Sequence, residues 1–384
     1  MKLATGASLW LIVIGAVERL TSAGSRARIA VETTRRPKTT TDEGHDRIRL
    51  VNSASLDAWV DKTATTALLV QIAGETVVEI DRPIPRPGWI GLDGAAHFGA
   101  SGGEIGLPFE PLPDGRMRHD VASVQKSIVA VLVAIGDERG VLQLDDPVTA
   151  HLGPGWSRAT ADQEAAVTIR HLLAMTSGLG DDLSYVAPAG TRWWYDLGPT
   201  WHQLKPLLEA ATGETLSDLT DRWLTGPLGM DETTWIDRPG MTYHDGRPFE
   251  ALSTSARDLA RFGQMVLENG TTEAVGIIER KSLAPLFEPS QDLNRAYGLL
   301  WWLNGQRPRR VPMVDKPVDD FLMPNAPSDA VAALGAMGQV CAIAPSRRTV
   351  VIRLGGSPDV NSTGGDLPDD LWRVLNENVF RSLN

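Results

Sequence analysis

From Val121 to Ile135 the chain reads Val-Ala-Ser-Val-Gln-Lys-Ser-Ile-Val-Ala-Val-Leu-Val-Ala-Ile. Beyond Ser127 this run is almost wholly apolar. A helix without a polar face belongs inside a protein, so the run predicts a buried helix whose polar front end opens on a cleft. That front end carries Ser123-Val-Gln-Lys126. Residues three apart lie on one helix face, one turn above the other, so Ser123 and Lys126 can reach the same atom. A serine hydroxyl is a weak nucleophile until a neighbouring base takes its proton. Unpaired backbone N–H groups at a helix start favour developing negative charge. Together these features point to serine acylation chemistry. The alternative is a helix cap followed by a solvated lysine.

With 384 residues the chain can form one large domain or two interleaved ones. A hydrophobic content of 42% supports a sizeable core. The net charge of -11 argues against nucleic acid or anionic membrane surfaces as partners. One cysteine, Cys341, rules out an internal disulfide and reads as a small core residue in the apolar run 339–343. At the amino terminus, Lys2 precedes an apolar stretch, Leu3 to Val17, and then Thr21-Ser-Ala23. Residues 1–23 therefore read as a secretory signal, which implies export to the periplasm or the extracellular space. A non-native extension on a cytoplasmic protein is the rival reading. The stretch is short for a membrane span, so no stable membrane insertion is expected after processing. Residues 24–50 are basic, threonine-rich and aperiodic, as in Arg35-Arg-Pro-Lys-Thr-Thr-Thr41, and read as a disordered linker.

The folded domain is expected over 51–384. Ala67–Ile72 and Thr76–Ile80 flank Ala73-Gly-Glu75, a hairpin pattern. Residues 81–120 are rich in proline and glycine and read mostly as loop. Helices are expected at 123–140, 168–176, 200–212, 216–224 and 255–269. Strands are expected at 296–303, 339–343 and 348–354, with an amphipathic helix from Leu367 to Leu383. Strands at both ends with helices between predict an α+β fold. Its antiparallel sheet is built from amino- and carboxy-terminal segments, and a mostly helical lobe, roughly 140–290, is inserted into it. A cleft between the two is the expected place for a site.

Further stretches gain meaning in their order around Ser123-x-x-Lys126. They are Leu144-Asp-Asp-Pro-Val148, Thr168-Ile-Arg-His-Leu-Leu-Ala-Met-Thr-Ser-Gly-Leu179, Ala189-Gly-Thr-Arg-Trp-Trp-Tyr195, Pro227-Leu-Gly-Met230 and Ser255-Ala-Arg-Asp-Leu-Ala-Arg-Phe262. Over roughly residues 55–380 this arrangement resembles the class C β-lactamase-related serine hydrolases. That family includes β-lactamases, D,D-peptidases, esterases and 6-aminohexanoate-dimer hydrolases. The resemblance implies a penicillin-binding-protein-like fold and no cofactor. It also implies that Tyr195, in the place of the family's Tyr-x-Asn motif, shares protons with Ser123 and Lys126. The motif's asparagine is replaced by Leu197, which puts amide or lactam recognition in doubt; Asp196 is a candidate substitute. The third family motif, Lys-Thr-Gly or His-Thr-Gly, aligns with Ala333-Leu334-Gly335, so its basic residue is absent. The backbone N–H of Ala336 would join that of Ser123 as an oxyanion hole. Gly335, Asp196, Trp194 and Met337 are the candidate substrate contacts. The expected substrate is a small-molecule ester or amide, with β-lactam and D-Ala-D-Ala turnover, or a non-catalytic sensor, as alternatives.

Gly99-Ala-Ser101-Gly-Gly103 also fits a Gly-x-Ser-x-Gly pattern, but Glu-Ile-Gly-Leu-Pro-Phe follows it where that elbow needs a helix. Its expected state is a loop. The histidines are scattered without metal-ligand spacing, so no metal is expected. His171 reads as packed in its helix and His202 as structural. Trp193, Trp194, Trp201, Trp301 and Trp302 read mainly as core.

Overall fold

The computed structural model describes residues 53–82, 88–90, 107–243, 246–272, 275–312, 314, 316–356 and 366–382. All of them belong to the second of two units into which the chain divides, Thr40–Asn384. The expected signal segment 1–23, the linker 24–50 and the Ser101 loop lie outside the described residues.

The 67–80 hairpin forms as expected, from β1 (Thr65–Ile72) and β2 (Glu75–Asp81). Its turn residues Ala73 and Gly74 both have positive φ, which two-residue hairpin turns require. Three carboxy-terminal strands complete the sheet with a short fourth. The short one is β8 (Trp302–Leu303); the others are β9 (Val331–Gly335), β10 (Gln339–Ala344) and β11 (Thr349–Gly355). The strand order is β2-β1-β11-β10-β9-β8, with antiparallel pairing throughout. β1 and β11 are buried along most of their length. They therefore read as continuous apolar runs rather than alternating ones. The two termini of the domain thus meet at the centre of one sheet, as the α+β reading requires.

The 121–135 run is the helix α2 (Val124–Glu138), preceded by α1 (Ser53–Lys62). Every residue from Val124 to Gly136 is buried. Valine and isoleucine cost a few tenths of a kcal/mol each in a helix relative to alanine. Burying such a side chain returns about 1.5–3 kcal/mol, so tertiary packing decides the conformation. On one side α2 packs against β9 and β10, on another against α3 (Leu204–Thr212) and the turn Arg280–Leu283. The helix α4 (Ala256–Leu267) covers β11, β10 and β1, and α5 (Leu367–Asn378) packs on α1.

Two expectations need correction. Where they are described, residues 81–120 hold strands that the loop reading did not foresee: β3 (Gly88–Ile90), β4 (Leu107–Pro111) and β5 (Met117–Asp120). They join β6 (Thr234–Thr242) and β7 (Pro248–Ser255) in a second sheet of order β3-β4-β5-β7-β6. The inserted region therefore carries a β-hairpin, β6 and β7, between its helices. The prolines of β4 and the Pro239-Gly240 pair inside β6 masked these strands. In β6 that pair falls where the register with β7 shifts, between Arg238 and Thr242, and a bulge tolerates residues that a regular ladder rejects. The expected strand 296–303 reduces to β8, with one isolated bridge from Tyr297 to Trp302.

Candidate active site

β5 ends at Asp120, and three residues later Ser123 opens α2. The junction is held from behind. Asp120 Oδ1 accepts the N–H of Ala122 at 2.8 Å. Arg238, from β6, donates to both Asp120 oxygens through Nε (3.0 Å) and Nη2 (2.6 and 2.8 Å). Both partners are buried. The pair fixes a strained turn: Ala122 has φ of 49°, a left-handed conformation costing about 1–2 kcal/mol for a residue with a Cβ. Ser123 itself has helical φ and ψ, and its side chain makes no capping bond. The hydroxyl of a serine at the usual capping position is thereby left for other partners.

One of those partners is Lys126, whose Nζ donates to Ser123 Oγ at 3.0 Å. Lys126 is 2% exposed. Its amine lies 4.4 Å from the Tyr195 ring centre and 4.8 Å from that of Trp201. Burial pulls its pKa down to about 7; the Asp196 carboxylate opposes that shift and Arg238 adds to it. Tyr195 is buried in an aromatic cluster, stacked on Trp302 at 5.4 Å and edge-on to Tyr297 at 5.9 Å. Burial pushes its phenol up to about 12, against hydrogen bonding from the Ser123 hydroxyl and Trp302. Hydroxyl, amine and phenol therefore converge from residues 123, 126 and 195, as the sequence reading requires.

The third strand of the site is β9. A Cβ added to Gly335 would lie 2.4 Å from the carbonyl oxygen of Val121 and 3.3 Å from Ala122 Cβ. Only glycine lets the end of β9 touch the backbone that leads into Ser123. Ala336 and Met337 follow in a single 3-10 turn and pack on Ala122. Arg353, fully buried in β11, holds this turn: its Nη1 donates to the carbonyls of Met337 (2.7 Å) and Gly338 (3.1 Å). Its other N–H groups go to Thr65 Oγ1, Thr63 O and Gly356 O. Gly335→Ala is expected to push β9 off the serine junction. A displacement of that kind costs about 10²-fold in turnover, which kcat/KM on an activated ester will show; an unchanged value would disprove the close-approach argument.

The remaining candidate contacts sit differently. Asp196 is buried, and its two oxygens accept the backbone N–H groups of Gly198 and Trp201, each at 2.9 Å. Burial raises its pKa; those two bonds and Lys126 act the other way. The neighbouring Leu197 is 41% exposed. Along this segment Trp193 and Tyr195 join the aromatic cluster, whereas Trp194 and Asp196 line a crevice with Met175, Leu179 and Trp201. The Trp194 indole donates to Asp181 Oδ1 at 3.0 Å.

His171 accepts the Thr168 N–H at its helix start, and His202 is stacked on Phe249 and tilted against Trp201. Trp193, Trp201, Trp301 and Trp302 are core residues, and Cys341 is a buried thiol whose pKa burial raises. Among the described residues no group of histidine, cysteine and carboxylate side chains could hold a metal, and no helix is long and apolar enough to cross a membrane. Asp120 and Arg238 were not legible as site residues, because they are partners 118 positions apart in sequence. Arg353 did leave a signal, a lone arginine in Thr349-Val-Val-Ile-Arg-Leu354.

With this geometry in view, comparison with known proteins places the chain. The family model described as Beta-lactamase matches residues 93–365, and the chain belongs to that family. Its fold is that of the β-lactamases and penicillin-binding proteins. Esterase EstB of Burkholderia gladioli is 33% identical over 174 residues, covering 34% of this chain and 44% of the esterase. The match thus spans less than half of that relative. Among solved structures, EstCE1, a hydrolase with promiscuous acyltransferase activity, superposes with a TM-score of 0.57 at 16% identity, over 84% of this chain and 97% of that one. A β-lactamase from Mycobacterium bovis gives 0.55 at 19% identity, over 84% and 98%.

Proposed function

We propose that this chain is a serine hydrolase that cleaves a neutral ester, or a small amide, through an acyl-enzyme on Ser123. The single observation that carries the reading is the 3.0 Å contact from Lys126 Nζ to an uncapped Ser123 Oγ inside a buried aromatic pocket. With a pKa of about 7, Lys126 has a populated free amine at neutral pH; the Tyr195 phenol, near 12, does not ionise there. Lys126 is therefore the base and Tyr195 a hydrogen-bond donor that stays protonated. Ser123 Oγ loses its proton to Lys126 and bonds the substrate carbonyl carbon. The tetrahedral oxyanion is held by the N–H groups of Ser123 and Ala336, each worth roughly 3–4 kcal/mol. The carbon–oxygen bond to the leaving group then breaks, and the leaving alkoxide takes the proton from the Lys126 ammonium. Water repeats the sequence on the acyl-enzyme, giving up a proton to Lys126 and releasing Ser123.

Three features favour a neutral ester. Ala333 and Leu334 place no cation on β9 to meet a substrate carboxylate. The position of the family's acyl-amide asparagine holds the exposed Leu197. The Asp196 oxygens are already spent on backbone. The family match favours a β-lactamase or D,D-peptidase as the second reading.

Rates on p-nitrophenyl acetate, nitrocefin and a D-Ala-D-Ala peptide, measured side by side, separate the two. The ester is expected to be fastest; faster nitrocefin turnover would overturn the preference. The pH profile is a second check. Lys126 must be unprotonated to act, so kcat/KM is expected to fall tenfold per pH unit below about pH 7. A profile flat down to pH 5 would exclude Lys126 as the base.

A further inference from the structure

The second oxyanion donor, the N–H of Ala336, opens the Ala336–Gly338 turn between β9 and β10. That turn goes against local preference. Met337 has φ of 62° and ψ of 17°, a left-handed conformation disfavoured for a residue with a Cβ. At the near end of the turn, Gly335 lies against the Val121 carbonyl that leads into Ser123.

Two fully buried polar side chains converge on the far end. Arg353 has five N–H groups, and each has an uncharged acceptor. Nη1 donates to the carbonyls of Met337 (2.7 Å) and Gly338 (3.1 Å), Nε to Thr65 Oγ1 (2.9 Å), and Nη2 to the carbonyls of Thr63 (2.6 Å) and Gly356 (2.5 Å). Gln339 pairs with Gly355 in both directions: its Nε2 donates to the carbonyl at 2.6 Å, and its Oε1 accepts the N–H at 3.1 Å. Residues 337, 338 and 339 are thus tied in succession to β11, and through Arg353 to the start of β1. Gly338 makes room for the clamp, since a Cβ there would lie 3.1 Å from Arg353 Nη1 and 2.7 Å from Leu367 Cδ2.

A guanidinium in a core is costly, and its neighbours Val350, Val351, Ile352 and Leu354 are all buried and apolar. An apolar side chain would fill the same strand without that cost. Burial lowers the Arg353 pKa to about 9, so the group is charged at neutral pH and its bonds are of the stronger, charge-assisted kind. Two of them end on the turn that carries Ala336.

We propose that Arg353 is a positioning residue for the serine chemistry: with Gln339 as a second anchor, it holds the 336–338 turn so that the Ala336 N–H stays aimed at the oxyanion of the tetrahedral intermediate. The proposal rests on the function argued above and says what orders its oxyanion hole. A donor fixed in advance stabilises the transition state more than the bound ester. Loosening the clamp therefore acts on kcat and spares KM.

The test is Arg353→Lys, which keeps a cation but offers three N–H groups to five acceptors. On p-nitrophenyl acetate, kcat per serine titrated by a fluorophosphonate is expected to fall about 10²-fold, with KM nearly unchanged. Affinity for phenylboronic acid, which forms a tetrahedral adduct on the serine, should fall by a similar factor. A merely structural role would lower the titratable fraction and Tm but leave kcat per titrated serine and boronate affinity in place, which would overturn the proposal. Gln339→Leu should act in the same direction by less, and it stands in if the first variant fails to fold. A crystal structure of the wild-type boronate adduct needs no variant: a boronate oxygen is expected about 2.7–3.1 Å from the Ala336 nitrogen, and an Ala336 N–H turned away from it would refute the clamp's role. If the wild-type protein neither turns over esters nor takes a fluorophosphonate label, the underlying function fails. If it does both and Arg353→Lys keeps its kcat, only the role of Arg353 fails.

Discussion

Ser123→Ala is expected to abolish ester turnover, by about 10⁴-fold or more in kcat, and to eliminate covalent labelling by a fluorophosphonate. The variant should otherwise be intact. Ser123 makes no capping bond, so the start of α2 keeps its own hydrogen bonds. The change does take the acceptor from the buried Lys126 amine, which costs about 1–3 kcal/mol. That combination separates nucleophile from scaffold: a kinetic loss far larger than the modest fall in Tm. The oxyanion donors are backbone groups and survive the substitution, so slow residual hydrolysis above the uncatalysed rate is consistent with the assignment. Persistent labelling at another serine would refute it.

Asp120→Ala should have the largest effect on stability. Asp120 is fully buried, accepts the Ala122 N–H and takes a bidentate pair from Arg238. Removing it strands a buried guanidinium, and breaking a buried pair from one side costs about 3–5 kcal/mol. Folded domains hold only about 5–15 kcal/mol in total, so a large drop in Tm is expected. Turnover by whatever fraction remains folded should fall as well, because Asp120 holds the Ala122 N–H at positive φ ahead of Ser123. Asp120→Asn keeps an acceptor for Ala122 while losing the charge, and should retain more of kcat than of stability. A wild-type Tm in Asp120→Ala would show that the junction is held by other contacts.

Both predictions concern one short stretch, 120–126, that the sequence shows only in part. Ser123 and Lys126 are legible because three-residue spacing on a helix places both side chains on one face, whatever the rest of the molecule does. The buried state of α2 is legible for a similar reason: the eight apolar residues from Ile128 to Ile135 leave that stretch no polar face to turn to water. Asp120 left no such trace, since its partner Arg238 is 118 positions away and neither residue is unusual locally. The second sheet escaped notice through prolines at strand ends and a bulge at Pro239-Gly240, where local chemistry reads as turn and only the neighbouring strand makes it a ladder.

Local chemistry alone therefore settled the central helix, the pairing of serine with lysine, the first hairpin and the apolar strands of the carboxy-terminal half. These depend on periodicity and burial, which reach no further than a few residues along the chain. Folding in three dimensions decided the buried, aromatic surroundings of Lys126, how the serine's turn is held, and why Gly335 must be glycine. Those outcomes depend on dielectric surroundings and on contacts between segments more than a hundred residues apart. Energies of that kind belong to the packed interior, and no local pattern encodes them.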